Sequence, residues 1–338
     1  MEDKKLKAMV LAAGIGSRLE PLTSILPKPL VQIAGRPVME HILLLLKKHG
    51  ITDVVSNTYH LAPKLHDYFA DIKQREGIDI HFIHESKLSG VAGGIRACKE
   101  YLKGSTVCII MGDALTNADL TKLLQAHQKA VKENNCKVTI AKMQVEDTTH
   151  FGVVVTDGKG RVINFQEKPK PEEALSNWAN TGIYFFEPEI LDMIPSIEDA
   201  PVYDVAHDLF PKLLEAGVYM QAVAVDADIY WADIGTPQQY IQTMKDIASG
   251  AVNFESFKPL IRSQDISPLA SLIEDNEIGD KTVIADTASL KNCVIWDNVE
   301  IGEGADLEDC IVVSGAKINP YEKHKGKILV AEMPVATK

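Results

Sequence analysis

No stretch of this 338-residue chain stays apolar long enough to cross a bilayer, and no block of lysine and arginine stands out. The first apolar stretch stops at Ala13 and runs into a turn, which reads as neither a signal peptide nor a membrane span; the expected location is the cytoplasm. A formal net charge of −12 argues against a general nucleic-acid binder, because the phosphate backbone repels an acidic surface. Five cysteines (Cys98, Cys108, Cys136, Cys293, Cys310) contain no CxxC pair, so buried, reduced thiols are expected rather than a disulfide framework. Ten histidines form no HxxxH or HExxH pattern, and His81 and His84 read as solvent-facing or core residues. Hydrophobic residues at 46% and charged residues at 24% exclude wholesale disorder, and the length suggests two domains.

Strand and helix alternate through the first part of the chain. Strands are expected at 7–13, 53–57, 78–85 and 106–113, with helices at 37–50, 62–75, 92–102 and 118–134. Repeated βα units imply a largely parallel sheet covered by helices, and ligands bind beyond the carboxyl ends of such strands. From Lys137 the pattern becomes strand after strand, with a hairpin signal DGKG at 157–160. This predicts an added, partly antiparallel layer over the same sheet.

The stretch LAAGIGSRLEPLTSILPKPL, residues 11–30, directly follows the first strand. Gly14 and Gly16 let backbone N–H groups approach an anion, Arg18 offers a forked pair of donors, and Lys28 adds a compact charge. Leucine at position 19 breaks both the Walker pattern and the dinucleotide-binding fingerprint. Pro21, Pro27 and Pro29 keep the segment an open loop, since a helix cannot start at once.

Past residue 250 the texture changes. Residues 251–265 read as a linker, and 288–301 repeats at 305–318 with an offset of 17: Leu290 on Leu307, Cys293 on Cys310, Ile301 on Ile318. A weaker copy precedes it, with Ile273 under Leu290 and Ile278 under Ile295. Such a period predicts a short left-handed parallel β-helix over 266–320, followed by a tail over 321–338, with the cysteines as core fillers. The module is too small to stand alone. It is expected to dock on the first domain or on a neighbouring subunit, making a homo-oligomer.

LAAGIGSRLEPLT followed by PKPL resembles the signature of the sugar-1-phosphate nucleotidyltransferases, and further pieces follow in that family's order: SGVAGGI (89–95), MGD (111–113), FGVV (151–154), FQEKP (165–169), NTGIYFF (180–186) and WADIGTP (231–237). The resemblance covers about residues 7–249 and implies a Rossmann-like catalytic domain, here placed at 1–250. The reaction it implies is attack of a sugar 1-phosphate oxygen on the α-phosphorus of a nucleoside triphosphate, with release of pyrophosphate. Both reactants are anionic, so charge must be neutralised and the reacting atoms held in line.

Magnesium suits that task, taking one or two carboxylates plus phosphate oxygens, and the resemblance makes Asp113 and Asp233 its ligands. By the same resemblance Arg18 and the amides around Gly14 and Gly16 would hold the triphosphate. Lys28 would stabilise charge near the α-phosphate. Leu11, Ala12, Glu85 and Gly90 would line the base and ribose. Gly152, Glu167, Lys168 and Asn180 would hold the sugar phosphate, Lys168 as its cation. Tyr203, Asp204 and Asp208 read as structural residues at a helix start. One departure stands out, since Val91 occupies the position of the family's usual threonine in the second glycine loop. The wording is closest to mannose-1-phosphate guanylyltransferases, which implies GTP and mannose 1-phosphate as substrates. The alternatives are a glucose-1-phosphate uridylyl- or thymidylyltransferase, or a regulatory homologue that binds nucleotide sugars without catalysis.

Overall fold

The computed structural model describes residues 4–257, 271–273 and 277–331. The linker expected at 251–265 lies outside the described residues from position 258, as does the end of the expected tail from position 332. The chain packs as two compact units. The first draws on the residues up to Gly14, on Ile42–Gly112 and on Thr116–Trp231; the second draws on Ile15–His41, Asp113–Leu115 and the described residues from Ala232 onward.

The first unit is built on one nine-stranded sheet: β1 (Leu6–Leu11), β2 (Asp53–Thr58), β3 (Asp79–His84), β4 (Thr106–Met111), β5 (Val138–Gln144), β6 (Gly152–Thr156), β7 (Val162–Glu167), β8 (Trp178–Phe186) and β9 (Met220–Ala224). Strands β3, β2, β1 and β4 lie side by side and parallel. Their sequences are short apolar runs because both faces of such strands are covered; Ala8, Met9 and Val10 of β1 are fully buried.

The antiparallel strands correct one expectation. They do not form a layer over the sheet but extend its edge. β8 runs antiparallel to β4 on one side and to β5 on the other, β9 continues parallel to β5, and the β6–β7 hairpin joins at Ala179 and Val153. β5 runs along both halves of β8, with a register shift between Asn180 and Tyr184, while the opposite edge of β8 is shared by β4 at Tyr184–Phe186 and β6 at Ala179.

Local chemistry closes the elements. The helix Leu120–Asn134 starts where Asp119 accepts from the Lys122 amide at 2.9 Å and stops at Asn135 in the left-handed region. The expected helix at 62–75 divides into Ala62–Phe69 and Ile72–Glu76, and that at 92–102 into Gly90–Ala97 and Lys99–Leu102. In the DGKG turn Asp157 accepts from the Lys159 and Arg161 amides at 2.8 and 2.9 Å. Asp204 caps the helical turn that begins at Val205, accepting from the Ala206 amide at 2.9 Å, while Asp208 accepts from the Asp204 amide at 2.7 Å. Buried His127 bonds Thr139 at 2.8 Å. No described helix is long and apolar enough to cross a membrane.

Much of the second unit is a parallel β-helix of three sheets. Leu290 pairs with Leu307, Ile295 with Val312 and Ile301 with Ile318, each with the offset of 17 that the repeat predicts. Two details differ. Leu272, not Ile273, stands opposite Leu290, because the first coil holds one residue more between these strands than the coils above it. The stack also runs past residue 320: Lys323–Lys325 pairs with Asp306–Glu308, and Ile328–Leu329 with Ile311–Val312.

All five cysteines are buried free thiols. Burial pushes Cys98 and Cys108 up to about 12, which keeps them unreactive. Cys293 and Cys310 fill equivalent places in the β-helix core beside Leu290 and Leu307.

Leu307 is fully buried in that core. Leu307→Ala should cost about 2–5 kcal/mol, because neighbouring coils cannot collapse into the space. Denaturant unfolding followed with amide exchange at 289–312 checks this, and unchanged protection would show that the coil core does not depend on it.

Candidate functional site

Two sets of expected site residues take shape, one in each unit. In the second unit, Pro27 leads into a short turn at Lys28–Leu30, closed by the Leu30 amide donating to the Pro27 carbonyl at 2.8 Å. The turn holds the Lys28 side chain in the interior, 7% exposed. Its ammonium donates to Asp113 and, at 3.2 Å, to Asp233. The two carboxylates come from segments that run alongside each other, tied by the Ile234 amide donating to the Asp113 carbonyl at 3.0 Å.

One ammonium thus serves two carboxylates. Burial alone would lower Lys28, but Asp113 and then Asp233 outweigh it and hold its pKa above the ordinary lysine value. Asp233 is pushed above the usual aspartate value by burial and by the Asp113 carboxylate, with Lys28 and Arg18 countering only in part. Arg18 sits in the Ser17–Leu19 turn. A side chain on Gly235 would stand 2.6 Å from the Asp233 carboxylate and 3.1 Å from the Arg18 guanidinium, so glycine leaves these two groups their space.

Gly16 has φ +72°, and a Cβ there would lie 2.9 Å from Thr23 and 3.1 Å from Lys28; the glycine is what lets the loop close over the lysine stem. Among the described residues, no group of three or more His, Cys, Asp or Glu gathers at one point. Asp113 and Asp233, which share the Lys28 ammonium, are a pair of carboxylates that could hold a cation. Two carboxylates with one ammonium between them suit a hard ion that completes its shell with phosphate and water, and do not suit a full protein cage.

In the first unit, the carboxyl ends of β1, β2 and β3 carry a linked set. The Ala12 amide donates to Asn57 Oδ1 at 3.0 Å, and Asn57 Nδ2 donates to Glu85 Oε1 at 2.7 Å. The Ser89 hydroxyl donates to the other Glu85 oxygen. Glu85 is thus buried with both oxygens bonded, and Asn57 fixes it to the end of the first strand. The Leu11 carbonyl accepts from the Gly112 amide at 2.8 Å, which joins the ends of β1 and β4.

The second glycine loop is shaped by packing. Gly90 has φ +80°, and a Cβ there would lie 2.6 Å from the Tyr203 carbonyl oxygen, which itself accepts from the Gly93 amide at 2.9 Å. Val91, the departure from the family pattern, packs on the hydrophobic core. Gly14 differs: among the described residues nothing lies within 4 Å of where its Cβ would stand.

The remaining residues lie on the β6–β7 hairpin and β8. Gly152 is the register partner of Glu167, and a Cβ on Gly152 would meet Phe165 at 2.6 Å and Glu167 at 3.0 Å. Lys168 follows at φ +46°, its amide donating to the Phe151 carbonyl at 3.1 Å and its ammonium 3.3 Å from Glu167. The lysine side chain is 60% exposed, so this ion pair adds little stability and leaves the cation open to a ligand. Asn180 is engaged within its own strand, donating to the Tyr184 hydroxyl at 2.7 Å and accepting from the Gly182 amide at 3.1 Å.

Sequence reasoning missed Asn57 and Ser89. Asn57 lies in DVVSNT, a strand whose last three residues are all polar, so its place level with the ends of the neighbouring strands did not show in the sequence.

Comparison with known proteins bears on this arrangement. The family model described as nucleotidyl transferase matches residues 7–250. A UTP–glucose-1-phosphate uridylyltransferase of Synechocystis is 41% identical over 257 residues, covering 72% of this chain and 64% of that enzyme. A mannose-1-phosphate guanylyltransferase of Mycobacterium tuberculosis is 32% identical over 310 residues, covering 90% of this chain and 83% of that enzyme. The fold matches the crystal structure of a glucose-1-phosphate thymidylyltransferase, so titled as putative, from Bacillus anthracis, with a TM-score of 0.64 at 22% identity over 74% of this chain and 98% of that one.

The Asp233 shift has a testable sign. Because its pKa in the folded protein lies above the ordinary value of 3.8, its contribution to stability is full below that value and is lost as pH rises through the folded-state value. Asp233→Asn should therefore raise the thermal midpoint at neutral pH by about 2–4 °C, with the gain vanishing below about pH 4. Thermal scans of both proteins across that range check it, and a lowered midpoint at neutral pH would contradict it.

Proposed function

Because the chain belongs to the nucleotidyl transferase family, we propose that it transfers a nucleotidyl group from a nucleoside triphosphate to a sugar 1-phosphate, forming a nucleoside diphosphate sugar and pyrophosphate. The observation that carries this reading is the Lys28 ammonium shared by Asp113 and Asp233 on a loop after the first strand.

In this reading Asp113 and Asp233 hold a magnesium ion, which when bound neutralises charge on the triphosphate oxygens. Lys28 gives up its carboxylate partners and turns its ammonium to oxygens of the α-phosphate. Arg18 forks onto the outer phosphates, and the open space over Gly14 admits the phosphate chain close to the backbone. Glu85, held by Asn57 and Ser89, orients base and ribose, with the Leu11–Ala12 and Gly90 segments beside them. Lys168 binds the sugar phosphate, and Glu167, Asn180 and the Gly152 backbone meet the sugar hydroxyls. A sugar phosphate oxygen then forms the new bond to the α-phosphorus as the α–β bridging oxygen leaves with pyrophosphate, so the residues act by positioning and charge stabilisation.

GTP with mannose 1-phosphate is the first substrate pair we propose, supported by the 32% identity to a guanylyltransferase across 90% of the chain. UTP with glucose 1-phosphate is the second, favoured by the 41% identity to a uridylyltransferase. We further propose that the β-helix mediates a homo-oligomer in solution; light scattering that returns the mass of one chain would refute this.

The test of the activity is pyrophosphate release over five nucleoside triphosphates crossed with glucose, mannose, galactose and N-acetylglucosamine 1-phosphates, with magnesium and then with EDTA. No turnover for any pair overturns the reading, and it would leave a nucleotide-sugar-binding homologue. Asp113→Ala should lower kcat at least ~10²–10³-fold while the fold is kept. Wild-type rates in that variant would show that this carboxylate holds no metal.

A further inference from the structure

The β-helix and the lysine loop are joined within the second unit through one hydroxyl. The helix Pro237–Ala248 begins four residues after Asp233, capped by Thr236, whose hydroxyl accepts from the Gln239 amide at 3.2 Å. Its first turn carries Tyr240, the largest fully buried side chain among the described residues. The Tyr240 hydroxyl donates to the Gln32 carbonyl at 2.7 Å, four residues beyond Lys28, and accepts from the Trp296 indole N–H at 2.9 Å. Trp296 belongs to the β-helix, immediately after the strand Val294–Ile295. A single oxygen therefore binds the segment that carries Lys28, the segment that follows Asp233, and a coil of the repeat.

An ion pair between this helix and the coils is far weaker. Lys245 and Asp309 stand 3.7 Å apart, each side chain about a third exposed. Such a pair contributes little. The buried hydroxyl, in contrast, sits in low dielectric, where both of its bonds are strong and directional.

We propose that Tyr240 and Trp296 are positioning residues: the β-helix fixes, through the Tyr240 hydroxyl, the distance between Lys28 and Asp233. This rests on the reading of that cluster as the triphosphate and metal site. The consequence concerns catalysis more than folding. A loosened loop lets Lys28 drift from where the α-phosphate charge develops, while the residues read as holding the sugar phosphate, all in the first unit, are untouched.

Three variants of the full chain test it: Tyr240→Phe, which removes both bonds; Trp296→Phe, which removes only the incoming one; and Lys245→Ala as control. Two readouts are taken. The first is amide exchange at residues 27–38, where the Leu30, Val31 and Val38 amides close the loop. The second is pyrophosphate release, with KM for each substrate and the magnesium concentration for half-activation.

The expected order is a loss of about tenfold in kcat/KM for the triphosphate in Tyr240→Phe, a smaller loss in Trp296→Phe, and none in Lys245→Ala. KM for the sugar 1-phosphate should stay at the wild-type value in all three. Exchange at 27–38 should rise in the same order with the thermal midpoint near wild type. Unchanged exchange in Tyr240→Phe overturns the proposal, as does an equal loss in Lys245→Ala. If wild-type protein turns over no substrate pair, the functional reading falls while the exchange data still decide whether the hydroxyl fixes the loop.

Discussion

One ammonium shared by two carboxylates is the constraint on which the second unit depends. A lysine as buried as Lys28 is costly unless its charge is met, and here it is met twice. Meeting it twice creates the opposite problem. Burial and the neighbouring Asp113 carboxylate push Asp233 above its ordinary value, and Lys28 and Arg18 counter this only in part. That is a poor way to gain stability, and in the reading proposed above it keeps two carboxylates available to a cation. The surroundings hold the arrangement against its own repulsion: the Pro27 turn, the backbone bond from Ile234 to Asp113, and the glycines at 16 and 235 that leave room for lysine stem and guanidinium.

The first unit solves a different problem with parallel register. Because β1, β2 and β3 are parallel neighbours, their carboxyl ends lie level, and Ala12, Asn57 and Glu85 follow from that geometry. Ligand-binding groups gather at such ends because backbone amides there have no strand to pair with. Asn57 takes up the first of these amides and passes its own donor to Glu85, so the carboxylate is held in one orientation.

What the sequence made legible follows the same physics. The parallel strands were readable because buried strands are uninterrupted apolar runs, and the β-helix because in-register stacking forces equal spacing, as Leu290 over Leu307 shows. The edge position of β5 to β9 was not readable, since periodicity reports which face is buried and not which strand is adjacent. The fourth coil escaped because His324 takes the place that leucine holds in the two coils before it. The extra residue of the first coil escaped because an aliphatic residue stands at both 272 and 273. The chemistry of the opening loop pointed to Lys28 and resemblance added Asp113 and Asp233, and the fold brings the three into contact. Resemblance could not supply Asn57, Ser89 or Tyr240, whose work is to hold other residues.

This distinction sorts the opening loop residue by residue. Gly16 and Thr23 are explained without any ligand: the Thr23 hydroxyl donates to the Gly16 carbonyl at 2.9 Å, and both pack against one another over Lys28. The same is true of Gly90, which yields to the Tyr203 carbonyl. Gly14 is not explained in this way, because a Cβ there would meet nothing among the described residues. In the reading proposed above, that open space is where a phosphate comes close to the backbone. In that reading, the residues that bind and the residues that seat them alternate along the same loop. A motif of this density is specific because each kind constrains the placement of the other.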